Sequence, residues 1–186
     1  DSIGWFYLDA DGVMVKNSWM EDSIGWCYLG QDGRIVKNSW VNEDDKYDDI
    51  YFSDYGSYTK IYDCYYVGSD GYRLKNQWVK TDGKWYYLKD SGLKARYQWA
   101  RDSIGWMKLD AFGCIKTDCW ITESDKDYYI GSDGYMYQSQ WAYIKRYWYY
   151  FDANGVKAKD QWINDSTGLH YVNSEGKMVP NDWVQD

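Results

Sequence analysis

Proline occurs once, at Pro180, and histidine once, at His170. Without a second histidine or a nucleophile set beside His170, no nucleophile–His–acid constellation can be assembled, which argues against catalysis in these residues. A ring-for-ring exchange in a strand explains His170, because other repeats carry Tyr, Phe or Met there. The four cysteines, Cys27, Cys64, Cys114 and Cys119, form no CxxC pair, so the zinc-ligand pattern is missing. They read as free thiols acting as small hydrophobes, with a Cys114–Cys119 bridge left open. No apolar run approaches the ~20 residues of a membrane helix, so no membrane insertion is expected. Positive charge is in deficit as well: 21 Lys and Arg stand against 29 Asp and Glu, a net charge of −8 that repels nucleic acid. Aliphatic residues are few and the mean hydropathy is −0.77, so one large aliphatic core is excluded.

What the chain has is rings, 13 Trp and 22 Tyr in 186 residues. They recur. The stretch "GWFYLDADGVMVKNSW" at residues 4–19 returns as "GWCYLGQDGRIVKNSW" at residues 25–40. Turn glycines mark the period: Gly12, Gly33, Gly56, Gly71, Gly92, Gly113, Gly134, Gly155 and Gly176, mostly 21 residues apart. Closing tryptophans follow at Trp19, Trp40, Trp78, Trp99, Trp120, Trp141, Trp162 and Trp183. Between Trp40 and Trp78 lie nearly two periods with one tryptophan missing, so nine units are counted, the third (about residues 41–63) degenerate. Asp1 falls in mid-pattern, and the chain reads as a piece of something longer.

Segments such as "WYYL" and "WYYF" suit a half-buried strand, and "DADG", "GSDG" and "DANG" suit a tight turn into a short second strand. A lone hairpin is marginal in water, so successive hairpins must stack. The fold expected is all-β, a solenoid of stacked β-hairpins spanning residues 1–186 as one repeat domain. The fourth strand position is always aliphatic or Phe (Leu8, Leu29, Phe52, Val67, Leu88, Leu109, Ile130, Phe151, Val172), which marks it as the inner face. Aspartates in the turns are accounted for by turn chemistry, since no twelve-residue calcium loop ending in Glu is present. The acidic stretch at residues 42–49 reads as a solvated loop.

The unit W-x6-W-Y-Y-L/F-x3-G, carried through the whole chain, resembles the cell-wall-binding or choline-binding repeat of Gram-positive surface proteins and phage lysins. Related repeats occur in glucan-binding glucosyltransferases and clostridial toxins. The resemblance implies a left-handed hairpin solenoid without catalysis or cofactor, secreted and cell-wall associated, that anchors a larger protein by binding choline or phosphocholine on teichoic acid. It places choline between successive hairpins, walled by two tryptophans of one junction and a ring of the next hairpin, often with a Met nearby. Carried over residue by residue, this gives three cages: Trp19, Trp26 and Tyr51; Trp99, Trp106 and Tyr129; Trp141, Trp148 and Tyr171. Weaker candidates are Trp40 with Tyr47 and Tyr66, and Trp78 with Trp85, the latter pair facing Lys108. Trp120 meets Asp127 and Trp162 meets Leu169, so those junctions lack a second ring.

Ring faces suit a quaternary ammonium, which has no hydrogen to donate. They also suit sugars, and the repeated "KNSW", "KNQW" and "KDQW" put amides and charges beside the closing Trp, so a polysaccharide remains an alternative partner. A third reading makes the tryptophans only the glue between hairpins of a spacer, and pairing with a second copy into a homodimer is left open.

Overall fold

The computed structural model describes residues 6–52 and 57–180, except for the side chains of residues 44, 45, 50–52 and 57. Every regular element among them is a β-strand: β1 (Ser18–Glu21), β2 (Trp26–Leu29), β3 (Ser39–Phe52), β4 (Ser57–Val67), β5 (Gln77–Thr81), β6 (Lys84–Leu88), β7 (Trp99–Arg101), β8 (Trp106–Lys108), β9 (Cys119–Glu123), β10 (Lys126–Ile130), β11 (Gln140–Ile144), β12 (Tyr147–Phe151), β13 (Gln161–Asp165) and β14 (Gly168–Val172). Consecutive strands pair into seven two-stranded antiparallel sheets. The chain forms two compact units, one of Asp1–Tyr97 with Asp110–Cys114 and one of Gln98–Leu109 with Ile115–Asp186.

The hairpins sit in a different phase from the one the turn glycines suggest. The paired ladder runs across the polar link, so that Trp78 opposes Tyr87, Trp120 opposes Tyr129 and Trp141 opposes Tyr150. Among the described residues, each glycine turn of the period is closed by a single bridge, such as Leu88↔Lys94 or Phe151↔Lys157. Local chemistry explains the choice. At the tip of β5–β6, Asp82 and Gly83 have φ of 50° and 76°, the two successive left-handed residues of a type I′ hairpin turn, whose twist matches that of its strands. In the glycine turns an acid or amide takes over the backbone instead: Asp152 Oδ1 accepts from the backbone N–H of Asn154 and Val156, and Asn173 Oδ1 from Glu175 and Lys177. Those side chains are committed to the turn, as turn chemistry requires. Among the described residues no cluster of three metal-capable side chains forms.

The inner-face column is where the sequence pattern puts it. Leu29, Val67, Leu88, Leu109, Ile130, Phe151 and Val172 are 2% exposed or less. Leu8 departs from the column at 56% exposure, and the Phe52 side chain lies outside the described residues. Within the second unit Phe151 packs with Tyr129, Tyr149, Ala142 and Ile144, and Trp120 leans on the same cluster.

The expected degenerate third unit is instead the distal part of one long hairpin. Strands β3 and β4 pair from Ser39↔Val67 out to Phe52↔Ser57, with a bulge between Glu43 and Tyr47. Arg96 braces this arm, donating to the Ile61 carbonyl and pairing with Asp63 and Asp48. All four cysteines stand as free thiols, with Cys27 and Cys64 buried, and burial pushes both of those thiols up.

A second column answers the "KNSW" motif. Among the described residues, the residue two before each closing tryptophan is left-handed: Asn17, Asn38, Asn76, Tyr97, Asp118, Ser139 and Asp160 have φ between 46° and 54°. Asn and Asp tolerate this conformation better than other side chains, so the motif serves the backbone. Replacing Asn38 by Val is expected to destabilise the chain by about 1–2 kcal/mol, whereas Asn38→Gly stays near neutral. Chemical denaturation of the two variants, read as a shift in midpoint, checks this.

Candidate aromatic cages

Two hollows in the second unit share one construction. The first lies between Trp99 of β7, Trp106 of β8 and Tyr128 of β10, with Met136 beneath, and has a volume of about 330 Å³. The ring centroids of Trp99 and Tyr128 are 5.3 Å apart, with planes inclined at 66°. Gln138 and Asn154 stand at its edge. The second lies between Trp141 of β11, Trp148 of β12 and His170 of β14, over Met178, and has a volume of about 290 Å³. Trp141 and His170 are 5.5 Å apart at 77°. Both volumes lie near the lower end of small-ligand sites.

Each hollow carries a carboxylate at its first tryptophan. Trp99 Nε1 donates to Glu123 Oε2 at 2.6 Å, and Trp141 Nε1 donates to Asp165 Oδ2 at 2.6 Å. Lys108 pairs with Glu123 and, with the Trp99 bond, holds that carboxyl below the usual range. Asp165 is held at about 2, chiefly by the Thr167 hydroxyl and backbone N–H, with a further bond from Trp141. The indole planes are thus fixed by hydrogen bonds, and the second hollow has Asp165 in its wall. Its chemistry is ring faces plus one negative charge, a combination suited to a cation without hydrogen-bond donors.

The methionine floor is placed by the backbone. Met136 N–H donates to the Trp106 carbonyl at 2.7 Å, and Met178 N–H to the Trp148 carbonyl at 2.9 Å. Met136 then lies over Gly155, where φ is +78° and an added Cβ would come within 2.5 Å of the Met136 methyl carbon and 3.0 Å of the Tyr137 carbonyl oxygen.

Trp99 lies beside Trp106 and Trp141 beside Trp148, but the ring that completes each hollow is one residue earlier than the expected Tyr129 and Tyr171. Tyr129 and Tyr171 are the cross-strand partners of Trp120 and Trp162 in their own hairpins, at 5.0 and 5.1 Å, and so face away from the preceding hairpin. Side chains alternate across a strand, so Tyr128 and His170 take the cage position. Tyr65 and not Tyr51 faces Trp19, at 5.4 Å; Tyr51 lies far out on the long arm and its side chain is outside the described residues. At Trp40, Tyr66 is the cross-strand neighbour and Tyr86 is the ring from the next hairpin, at 5.0 and 5.2 Å. Tyr47 instead packs on Tyr62 in the arm, under Lys60. Trp78 packs on Tyr87, with its indole nitrogen buried and unpartnered among the described residues, and Trp85 lies under Lys80. Lys108, expected opposite that pair, stands over Trp99 as its cross-strand partner. At Trp120 the second ring is indeed replaced by Asp127, which binds Lys157 and Lys159.

The sequence reading missed Tyr128, His170, Met136 and Met178. Each belongs to a column legible in the period: one residue after the first ring of a hairpin, or two residues after its turn glycine.

Residues 138–183 match the choline-binding repeat, and residues 4–14, 76–93 and 120–136 match the cell wall binding repeat. The chain is similar to the choline-binding domain of CbpL from Streptococcus pneumoniae at 32% identity and TM-score 0.69, covering 99% of this chain and 86% of that one. It is similar to choline-binding protein F of the same organism at 26% identity and TM-score 0.59, covering 94% of this chain and 55% of that one. It also resembles the pneumococcal autolysin LytC at 26% identity and TM-score 0.58, covering 97% of this chain but 42% of that protein. No curated protein sequence matches the chain. With two repeat types matched along its length and a domain relative covered almost end to end, the chain belongs to the choline-binding repeat family.

Proposed function

We propose that this chain is a binding module that holds choline groups of a cell-wall polymer in the Trp99–Trp106–Tyr128 and Trp141–Trp148–His170 cages, and so anchors a larger secreted protein to a Gram-positive envelope. The observation carrying this is the pair of open three-ring hollows over methionine, each with an indole N–H locked on a carboxylate. Each tryptophan or tyrosine ring contributes about 0.5–2 kcal/mol by cation–π attraction, which gives a site of roughly millimolar affinity, about −4 kcal/mol. Weak sites repeated on one scaffold hold by avidity to a polymer that carries many ligands. The chain supplies no chemistry of its own in this reading; its role is retention.

Retention on a tertiary-amine resin with elution by free choline tests the proposal. Retention on an α-glucan column with indifference to choline would replace it with glycan binding. The left-handed role of Asn17, Asn38 and Asn76 weighs against the glycan reading, since these residues serve the backbone.

The acid in the second cage gives a prediction of its own. Asp165→Asn is expected to weaken choline at that cage by about two- to fivefold, the modest effect of an exposed, solvent-screened charge. The sign with pH follows from the lowered carboxyl. Its contribution is fully present above the ordinary Asp value of about 4 and fades only as pH falls through about 2. The His170 ring lies 3.6 Å from Asp165 in the same wall, so the comparison belongs above the range in which a histidine ordinarily takes up a proton: choline titrations of wild type and Asp165→Asn at pH 7.5 and pH 9 are expected to show the same ratio of affinities.

A further inference from the structure

The residue two after each turn glycine forms a column of its own: Met14, Ile35, Arg73, Lys94, Ile115, Met136, Lys157 and Met178. Where it is methionine in the second unit, the hollow above it is open. Where it is basic, its charged group sits between the rings. The Arg73 guanidinium carbon is 5.7 Å from the centroid of Trp19, 5.5 Å from Trp26 and 4.8 Å from Tyr65. Lys94 Nζ is 5.0 Å from Trp40 and 5.4 Å from Tyr86. Lys157 Nζ is 4.9 Å from Trp120 and 5.7 Å from Tyr149, with Asp127 as its counter-ion.

We propose that the Trp19–Trp26–Tyr65 junction is a third quaternary-ammonium cage that the chain closes with its own Arg73, and that Lys94 and Lys157 occupy their junctions in the same way. The backbone geometry equates these positions with the open ones. Arg73 N–H donates to the Trp26 carbonyl at 2.8 Å and Lys157 N–H to the Asp127 carbonyl at 2.8 Å, just as Met136 and Met178 donate to Trp106 and Trp148. Arg73 also lies across Gly92, as Met136 lies across Gly155, so its stem follows the same track. A tethered cation has an effective concentration far above that of any free ligand, so a millimolar guest does not displace it. The Arg73 cage is the complete one of the three. At Trp40 the position equivalent to Trp26 is held by Cys64, whose carbonyl receives the Lys94 N–H, and at Trp120 it is held by Asp127.

This inference rests on the choline reading above, and its test separates the two. Arg73→Met should bind one more choline per chain than wild type in equilibrium dialysis, while Arg73→Lys should keep the wild-type stoichiometry. Unchanged stoichiometry in a folded Arg73→Met chain would overturn the inference and leave the open cages untouched. Should Arg73→Met fail to fold, the Arg73 Nε–H resonance of the wild type decides. Three ring faces should move it upfield of a solvent-exposed arginine, and saturating choline should leave it unmoved. A resonance at the exposed position would overturn the closed cage. Wild type that binds no choline would refute the functional reading, while the resonance would still report on whether the cage is occupied.

Discussion

Replacing Trp99 and Trp141 together by alanine is expected to abolish the retention that the two open cages provide, so that the chain passes through a tertiary-amine column in choline-free buffer. Each single change should leave a chain that is retained but elutes at lower choline. Each cage is weak on its own. Removing one ring forfeits about 0.5–2 kcal/mol, which weakens that cage by roughly 2- to 30-fold from an already millimolar level. Two linked sites gain orders of magnitude over one, so loss of the first reduces avidity and loss of the second removes it. Trp99 and Trp141 also donate to Glu123 and Asp165, so their loss removes one hydrogen bond from each carboxylate as well as a wall. Met136→Arg with Met178→Arg reaches the same end without removing any ring, by placing a tethered cation where Arg73 has one. Agreement of the two double variants would show that an open cage, more than a tryptophan, is what retains the chain.

The second large effect concerns stability. Phe151→Ala is expected to destabilise the chain by about 3–5 kcal/mol, the usual range for a fully buried Phe, and to lower the melting temperature by roughly 6–20 °C. Phe151 has no exposed surface and anchors the cluster of Tyr129, Ala142, Ile144 and Tyr149 that also receives Trp120. Repeat arrays hold together by near-neighbour contacts, so the damage should centre on β11–β12 and its flanking hairpins. Hydrogen exchange should show protection lost there first. Uniform loss across the chain would mean that the stack melts as one body.

Particular residues show how far the sequence could be read. The buried column from Leu29 to Val172 was legible, because one aliphatic position per period has no reason to persist on a wet face. The cage tryptophans were legible for a similar reason. The third wall was not. Tyr128 and Tyr129 are both tyrosine, and only the cross-strand register, Trp120↔Tyr129, decides which of them faces the previous hairpin. That register depends on which of two turns carries the ladder. Both the D-x-D-G turn and the polar link look like turns in sequence, and the choice rests on successive left-handed residues such as Lys145 and Arg146, whose side chains give no sign of it. The long β3–β4 arm was hidden because, in sequence, Gly56 falls in line with the turn glycines of the period, although it lies outside the described residues. His170 was placed correctly as a ring for a ring, yet its position in a cage followed only from the register.

The central claim is that the residue beneath each junction decides whether its rings are open to a guest. Crystals grown with choline measure this most directly. Density for a trimethylammonium group is expected between Trp99, Trp106 and Tyr128 and between Trp141, Trp148 and His170, with Arg73 in place between Trp19, Trp26 and Tyr65. Choline in the Arg73 junction with the guanidinium swung out, or both methionine-floored hollows without choline, would contradict it.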